Sequence, residues 1–216
     1  MSSTEHYREH YRQAYIPRHY SGRFHLAFIL VFCLGGITLA AGQLDSVSAL
    51  EWLALPATFL YANLAEYLGH RWVMHRPRKG LKLVFKRHTK QHHRFFTSST
   101  MAMDSTLDYR AVLFPPVLMI FFFAAFAAPA GLLLAIVAST NVAWLFVIMA
   151  LAYYLNYELL HLAYHLPDDS AWFRLTLLKR LRTLHHEHHN PSIMSHKNFN
   201  ITYPIFDWLF QTRARH

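Results

Sequence analysis

Ten histidines fall in four tight clusters: His70 and His75; His88, His92 and His93; His161 and His165; His185, His188 and His189. Neutral imidazole is a ligand for iron, zinc, copper and nickel. A helix presents residues three or four apart on one face, so His88/His92, His161/His165 and His185/His188 are each expected to aim two rings the same way. The adjacent pairs His92-His93 and His188-His189 splay by roughly 100° around a helix, which suits two neighbouring metals better than one. His70 and His75 lie about 140° apart on a regular helix and reach one centre only if the helix ends or bends between them. A single zinc takes about four ligands. Ten imidazoles exceed that, and two six-coordinate metals would use them with positions to spare. Spacing alone does not choose the metal.

Two carboxylates stand beside these clusters. Glu66 lies four residues before His70, and Glu158 three before His161. Each can accept a proton from a ligand's second nitrogen or orient a bound water, or else simply pair with a nearby arginine. His6, His10, His19, His25, His186, His196 and His216 stand outside the clusters and read as ordinary polar residues near a basic surface.

The elements that position the clusters are apolar. Of the 216 residues, 54% are hydrophobic and 15% charged, which leans away from the soluble class. Four spans are expected, at about 24–41, 48–69, 111–128 and 132–156. From Ala111 to Tyr157 no charged residue occurs, and Pro129 with Gly131 reads as the punctuation between two antiparallel helices. Residues 1–23 are polar and basic with no signal-peptide core, and 24–216 form a single membrane domain. Leu81 to His88 reads as an amphipathic piece at the interface. The expected fold is all-α and integral to the membrane: four transmembrane helices in two hairpins, with a histidine-rich helical cap. All 21 Lys and Arg fall in 1–23, 70–110 or after 158, and the short connections carry none. The positive-inside rule puts the basic regions, both termini and the histidines in the cytoplasm.

Other classes fit less well. Cys33, the one cysteine, lies in an apolar run, which excludes a disulfide scaffold. The net charge of +9 flanks apolar runs with no nucleic-acid module between them, so anionic headgroups explain it better than nucleic acid. A metal transporter would string its ligands along a crossing path near the midplane. A membrane haem protein would use two axial histidines and leave the others unexplained.

The clusters, in order, resemble the membrane fatty acid hydroxylase and sterol desaturase superfamily, with its HxxxxH, HxxxHH, HxxxH and HxxHH pattern. Lys197 to Thr202, followed by Phe206-Asp-Trp-Leu-Phe-Gln-Thr212, is similar to the family's closing segment, with Asn200 and Gln211 where glycine is common. The resemblance covers about Tyr61 to Thr212. It implies that the ten histidines hold two iron ions, which zinc can replace in a purified protein, with dioxygen as co-substrate. It further implies hydroxylation of a lipid acyl chain; desaturation and carotenoid-ring hydroxylation are the related alternatives. The lipid would enter from the bilayer. Residues 1–23 are too short for a fused haem domain, so electrons would come from a separate donor protein. The site would face the cytosol at a bacterial inner membrane or the endoplasmic reticulum. Trp72, Phe95, Phe96, Tyr164 and Phe199 are the aromatic candidates for the substrate path.

Overall fold

The computed structural model describes residues 2–214, and their regular structure is helical; their β-structure is one isolated bridge, Thr97 with Thr100. In chain order the main helices are α1 (Ser3–Tyr15), α2 (Gly22–Ala41), α3 (Ala54–Gly69), α4 (Pro116–Phe122), α5 (Ala128–Val137), α6 (Thr140–Tyr164) and α7 (Thr176–His188). Two π-helical segments, His70–Met74 and Lys86–His92, lie among the histidine clusters, and a third, Phe123–Ala127, joins α4 to α5.

The chain divides into two compact units. One contains 24–62 and 114–158. Its helices carry large apolar side chains outward: Val31, Leu39, Leu132, Leu133 and Ile136 are all exposed. A soluble protein rarely leaves so much apolar surface in water. Helices here meet through small residues and rings. A methyl group at Gly36 on α2 would lie 2.7 Å from Leu151 on α6, and Phe59 packs edge-on against Tyr153 at 5.5 Å. Two connections are tied together. Asn141 and Asp45 exchange hydrogen bonds of 2.7 and 3.1 Å, and the Ser139 hydroxyl donates to Glu51 at 2.5 Å.

The other unit contains 1–23, 63–113 and 159–216. It holds all ten clustered histidines, and every one of them except His161 belongs to one of two groups of converging rings. Helix α1 begins with a capping box: Ser2 accepts from the Glu5 amide, and Glu5 accepts from the Ser2 amide. Arg8 and Tyr11 on its inner face are buried. Residues 1–23 are therefore more than a polar tail. The Ser2-x-x-Glu5 signature of a helix start was present in the sequence.

Several expected boundaries differ. Among the described residues, three stretches are long and apolar enough to cross a membrane: Gly22–Ala41, Thr106–Val137 and Thr140–Tyr164. The expected span 48–69 starts with a 3-10 turn at Glu51–Leu53, and α3 proper has 16 residues. That is about 24 Å of helix, short of a ~30 Å hydrocarbon core. The expected break at 128–131 is not a hairpin. Backbone angles stay helical from α4 through the π-segment into α5. Proline lacks an N–H and crowds the preceding turn, and the widened turn just before Pro129 leaves room for its ring. The chain reverses at Ala138-Ser139, where Ala138 leaves the helical region at φ −126°, ψ −89° and the Ser139 hydroxyl accepts from the Val142 amide. Within the expected amphipathic piece from Leu81 to His88, Lys82–Phe85 passes directly into the π-segment.

Candidate metal centre

Nine of the ten imidazoles form two nests. His70, His75, His88, His93 and His188 make the first, and His92, His165, His185 and His189 the second; within each, one ligand nitrogen per ring lies within 4.8 Å of all the others. All nine residues are buried. His161 sits beside the second nest, with its Nε2 3.2 Å from that of His92.

The π-segments explain how residues five apart share a nest. The His75 amide donates to the His70 carbonyl, closing an i to i+5 turn. This is the bend that the HxxxxH spacing required, and the two Nε2 atoms come within 3.1 Å. The second π-segment does the same for His88 and His93, whose Nε2 atoms are 3.0 Å apart. The expected pairing of His88 with His92 is thus replaced: four apart is one face of an α-helix, but the wider turn brings round the residue five apart. On α7 the regular spacing holds, and His185 joins His189 at 3.1 Å instead of joining His188. The adjacent pairs divide as their splay demanded, His92 from His93 and His188 from His189.

Five ligand rings are fixed by backbone carbonyls. Nδ1 of His70 donates to Phe199 O, and Nδ1 of His188 donates to Lys197 O at 2.8 Å. In the second nest His92 donates to Ala111 O at 2.9 Å, His165 to Met101 O at 2.9 Å, and His189 to Phe96 O at 2.7 Å. With the proton held at Nδ1, each Nε2 presents a bare lone pair to the nest. Two such lone pairs face each other between His92 and His189 at 3.1 Å. Neither can donate to the other, and a shared cation is what makes such a contact favourable. For metal–nitrogen bonds of about 2.0–2.1 Å, neighbouring ligands lie about 2.8–3.0 Å apart in an octahedral shell and about 3.3–3.4 Å in a tetrahedral one. The contacts between ligand nitrogens in the first nest, 2.8 to 3.1 Å, fit the octahedral edge. The residues present therefore fit the metal ions that the histidine pattern implies.

Burial keeps these rings neutral. Desolvation holds His75 at about 2, His92 at about 3 and His188 at about 4, with the His70, His88, His93, His165, His185 and His189 rings well below the usual imidazole range. Neutral imidazole is the metal-binding form.

The carboxylates of Glu66 and Glu158 accept hydrogen bonds from backbone amides and from hydroxyls. Glu66 accepts from the Ile201 amide, from the Thr202 amide at 3.0 Å and from the Thr202 hydroxyl at 2.6 Å. It anchors the segment whose Phe199 carbonyl already takes the second nitrogen of His70. Glu158 accepts from the Phe114 amide at 3.2 Å and the Tyr154 hydroxyl at 2.6 Å. Among the other histidines, His25 is buried, with Nε2 3.0 Å from Phe114 O, so it is not a surface residue. His186 lies 3.3 Å from Tyr164 O and joins neither nest, while His6, His10, His19 and His196 are exposed. His216 lies outside the described residues.

Three of the aromatic candidates wall the imidazoles, and a fourth packs behind them. Phe96 lies 3.9 Å from the His165 ring, Phe199 6.0 Å from His70 and Tyr164 5.4 Å from His185, and Phe95 packs on Phe96 at 4.8 Å. Trp72 is instead covered by the guanidinium groups of Arg71, Arg76 and Arg78. Asp207 was legible only as part of the closing motif. It is buried and accepts from the Phe199 and Asn200 amides at 2.9 and 2.6 Å, so it braces the carbonyl behind His70.

Fold and site together define an all-helical protein with apolar helices of membrane length and a buried double nest of imidazoles able to hold metal ions. Residues 55–212 match the family model of fatty acid hydroxylases, and the chain belongs to that family. The resemblance carried by the four clusters is thereby borne out. The fold is similar to that of full-length Scs7p, of which only the hydroxylase domain is visible: the TM-score is 0.61 at 18% identity, over 88% of this chain and 65% of that one. This chain thus spans slightly less than two thirds of that structure. No curated protein matches the sequence.

Proposed function

We propose that this chain hydroxylates a lipid acyl chain at a centre of two iron ions, with dioxygen as co-substrate. The observation that carries the reading is the pair of adjoining nests of buried imidazole nitrogens, with the bare Nε2 lone pairs of His92 and His189 facing each other at 3.1 Å. His70, His75, His88, His93 and His188 would hold one ion; His92, His165, His185 and His189 would hold the other, with His161 alongside. When bound, the pair of ions supplies the activation of dioxygen needed to put oxygen into a C–H bond.

The protein's own part is positional. Carbonyls at Phe96, Ala111, Met101, Lys197 and Phe199 fix the ring orientations. Phe96, Tyr164 and Phe199 are buried against the nests, with Phe95 buried behind Phe96, and exclude water from them. The same apolar wall suits an acyl chain arriving from the bilayer. Glu66 and Glu158 serve as anchors of backbone and not as groups that touch the reacting atoms. Electrons come from a separate donor protein. The stretch from His70 to Met103 carries nine Lys or Arg and no Asp or Glu, which suits an acidic partner.

The chain is read as a four-span protein, with α3 as the short span. The ties between Asp45 and Asn141 and between Glu51 and Ser139 support it, since they join the two connections that the hairpins would share. Its basic segments and termini face the cytosol, at a bacterial inner membrane or the endoplasmic reticulum.

The decisive experiment uses purified, iron-loaded protein with lipid extract, oxygen and a chemical reductant. His165→Ala and His188→Ala are each expected to lose one metal and to cut hydroxylated product at least a hundredfold. Product formation near the starting rate in either variant would overturn the ligand assignment.

A further inference from the structure

The loop from Phe95 to Ala102 sends its carbonyls in two directions. Phe96 O takes the Nδ1 proton of His189, and Met101 O takes that of His165, both in the second nest. Phe95 O, Thr100 O and Ala102 O point the other way, and all three accept from one side chain. Arg8, on α1, donates to them from Nε at 2.8 Å and from Nη2 at 2.9 and 3.0 Å. Its guanidinium lies over the rings of Phe95 and Phe96 at 4.8 and 5.3 Å, is 4% exposed, and reaches Asp104 at 3.4 Å. Phe96 in turn stacks on the His165 ring.

We propose that Arg8 is a positioning residue for the second metal. Resting on the two-metal reading above, it sets the orientation of His165 and His189 through the loop backbone without touching either ring. The five-histidine nest takes its two carbonyl supports from elsewhere, at Lys197 and Phe199; Asp207 holds the Phe199 amide and Glu66 the Ile201 amide just beyond it. Each nest thus has its own brace. The Arg8 brace also lies outside residues 55–212, the part of the chain that matches the family. The planar guanidinium is suited to the task, since its donors reach three acceptors in fixed directions.

The test counts metals per chain after dialysis against a weak chelator. Wild type is expected to keep about two and Arg8→Gln about one, because losing support behind a metal-ligating histidine typically weakens binding by about 10–100-fold. Double variants identify which metal leaves. Arg8→Gln with His185→Ala is expected to stay near one, since both changes act on the same nest; Arg8→Gln with His75→Ala is expected to fall towards zero. A general loss of structure would lower both nests alike and would not give this asymmetry. Two metals held as tightly in Arg8→Gln as in wild type, or a fall to zero in the His185→Ala pair, would overturn the proposal. A wild type holding fewer than two would overturn the two-metal reading beneath it instead. If Arg8→Gln does not purify, Arg8→Lys gives the same reading: it keeps the charge but cannot span three carbonyls, and the second metal is expected to dissociate roughly tenfold faster.

Discussion

Replacing Asp207 by asparagine tests whether the closing segment supports the first nest. Oδ1 of Asp207 accepts from the Phe199 amide at 2.9 Å and the Thr212 hydroxyl at 2.7 Å, and Oδ2 from the Asn200 amide at 2.6 Å. Asparagine keeps one oxygen. Whichever way the amide turns, one buried backbone N–H faces an NH2 group and loses its acceptor. An unsatisfied buried donor costs about 1–3 kcal/mol, and the remaining bonds lose their charge assistance, so the total is roughly 2–4 kcal/mol. For a chain of this size that corresponds to a melting temperature lower by roughly 4–16 °C. The same change loosens Phe199, whose carbonyl holds His70, so metal affinity at the first nest is expected to fall about 10–100-fold. Thermal unfolding in detergent reads the first effect, and competition with a chelator reads the second. Unchanged melting together with unchanged metal affinity would refute the bracing role.

Two further outcomes follow from the site and the charge pattern. In metal-stripped protein, His75, His92 and His188 stay neutral in the fold down to about 2, 3 and 4, whereas the unfolded chain takes up protons below about 6.5. Their folded values are depressed, so stability is full above about 6.5 and is lost as pH falls from there. Between pH 6.5 and 5 the three rings together remove up to about 6 kcal/mol, and a melting temperature that is flat over that range would contradict their burial as neutral groups. For orientation, a reporter fused after the last residue is expected to be active in the cytosol; activity on the opposite side would remove the four-span reading.

The site was more legible than the helices that carry it. Histidine spacing revealed the four clusters and the division of His92 from His93 and of His188 from His189, because side-chain direction follows from helical geometry. It misassigned the partner of His88 because that segment is π-helical, and that of His188 because a regular helix puts both the residue three on and the residue four on beside His185, and His189 is the one that joins it. The HxxxxH spacing at His70 and His75 already showed the discrepancy, and His88 to His93 repeats the same interval. The hairpin break was placed at Pro129 because proline and glycine usually interrupt a helix. A π-turn just before Pro129 makes the proline compatible with helix, and hydropathy does not register such a turn. Arg8 gave no signal, since its partners are main-chain carbonyls that could belong to any residue type.

Supports for the rings come from residues far away in the sequence. Phe199 follows His70 by 129 positions, and Arg8 precedes Phe95 by 87. During synthesis the nascent chain therefore inserts its apolar helices while the first histidines still lack their final partners. The pocket can close only once Lys197, Phe199 and Asp207 have emerged from the ribosome, and closing such long loops is slow. On the two-metal reading, metal loading would then follow synthesis of Asp207, and chains that terminate before it would reach the membrane with their ligands unformed into a nest.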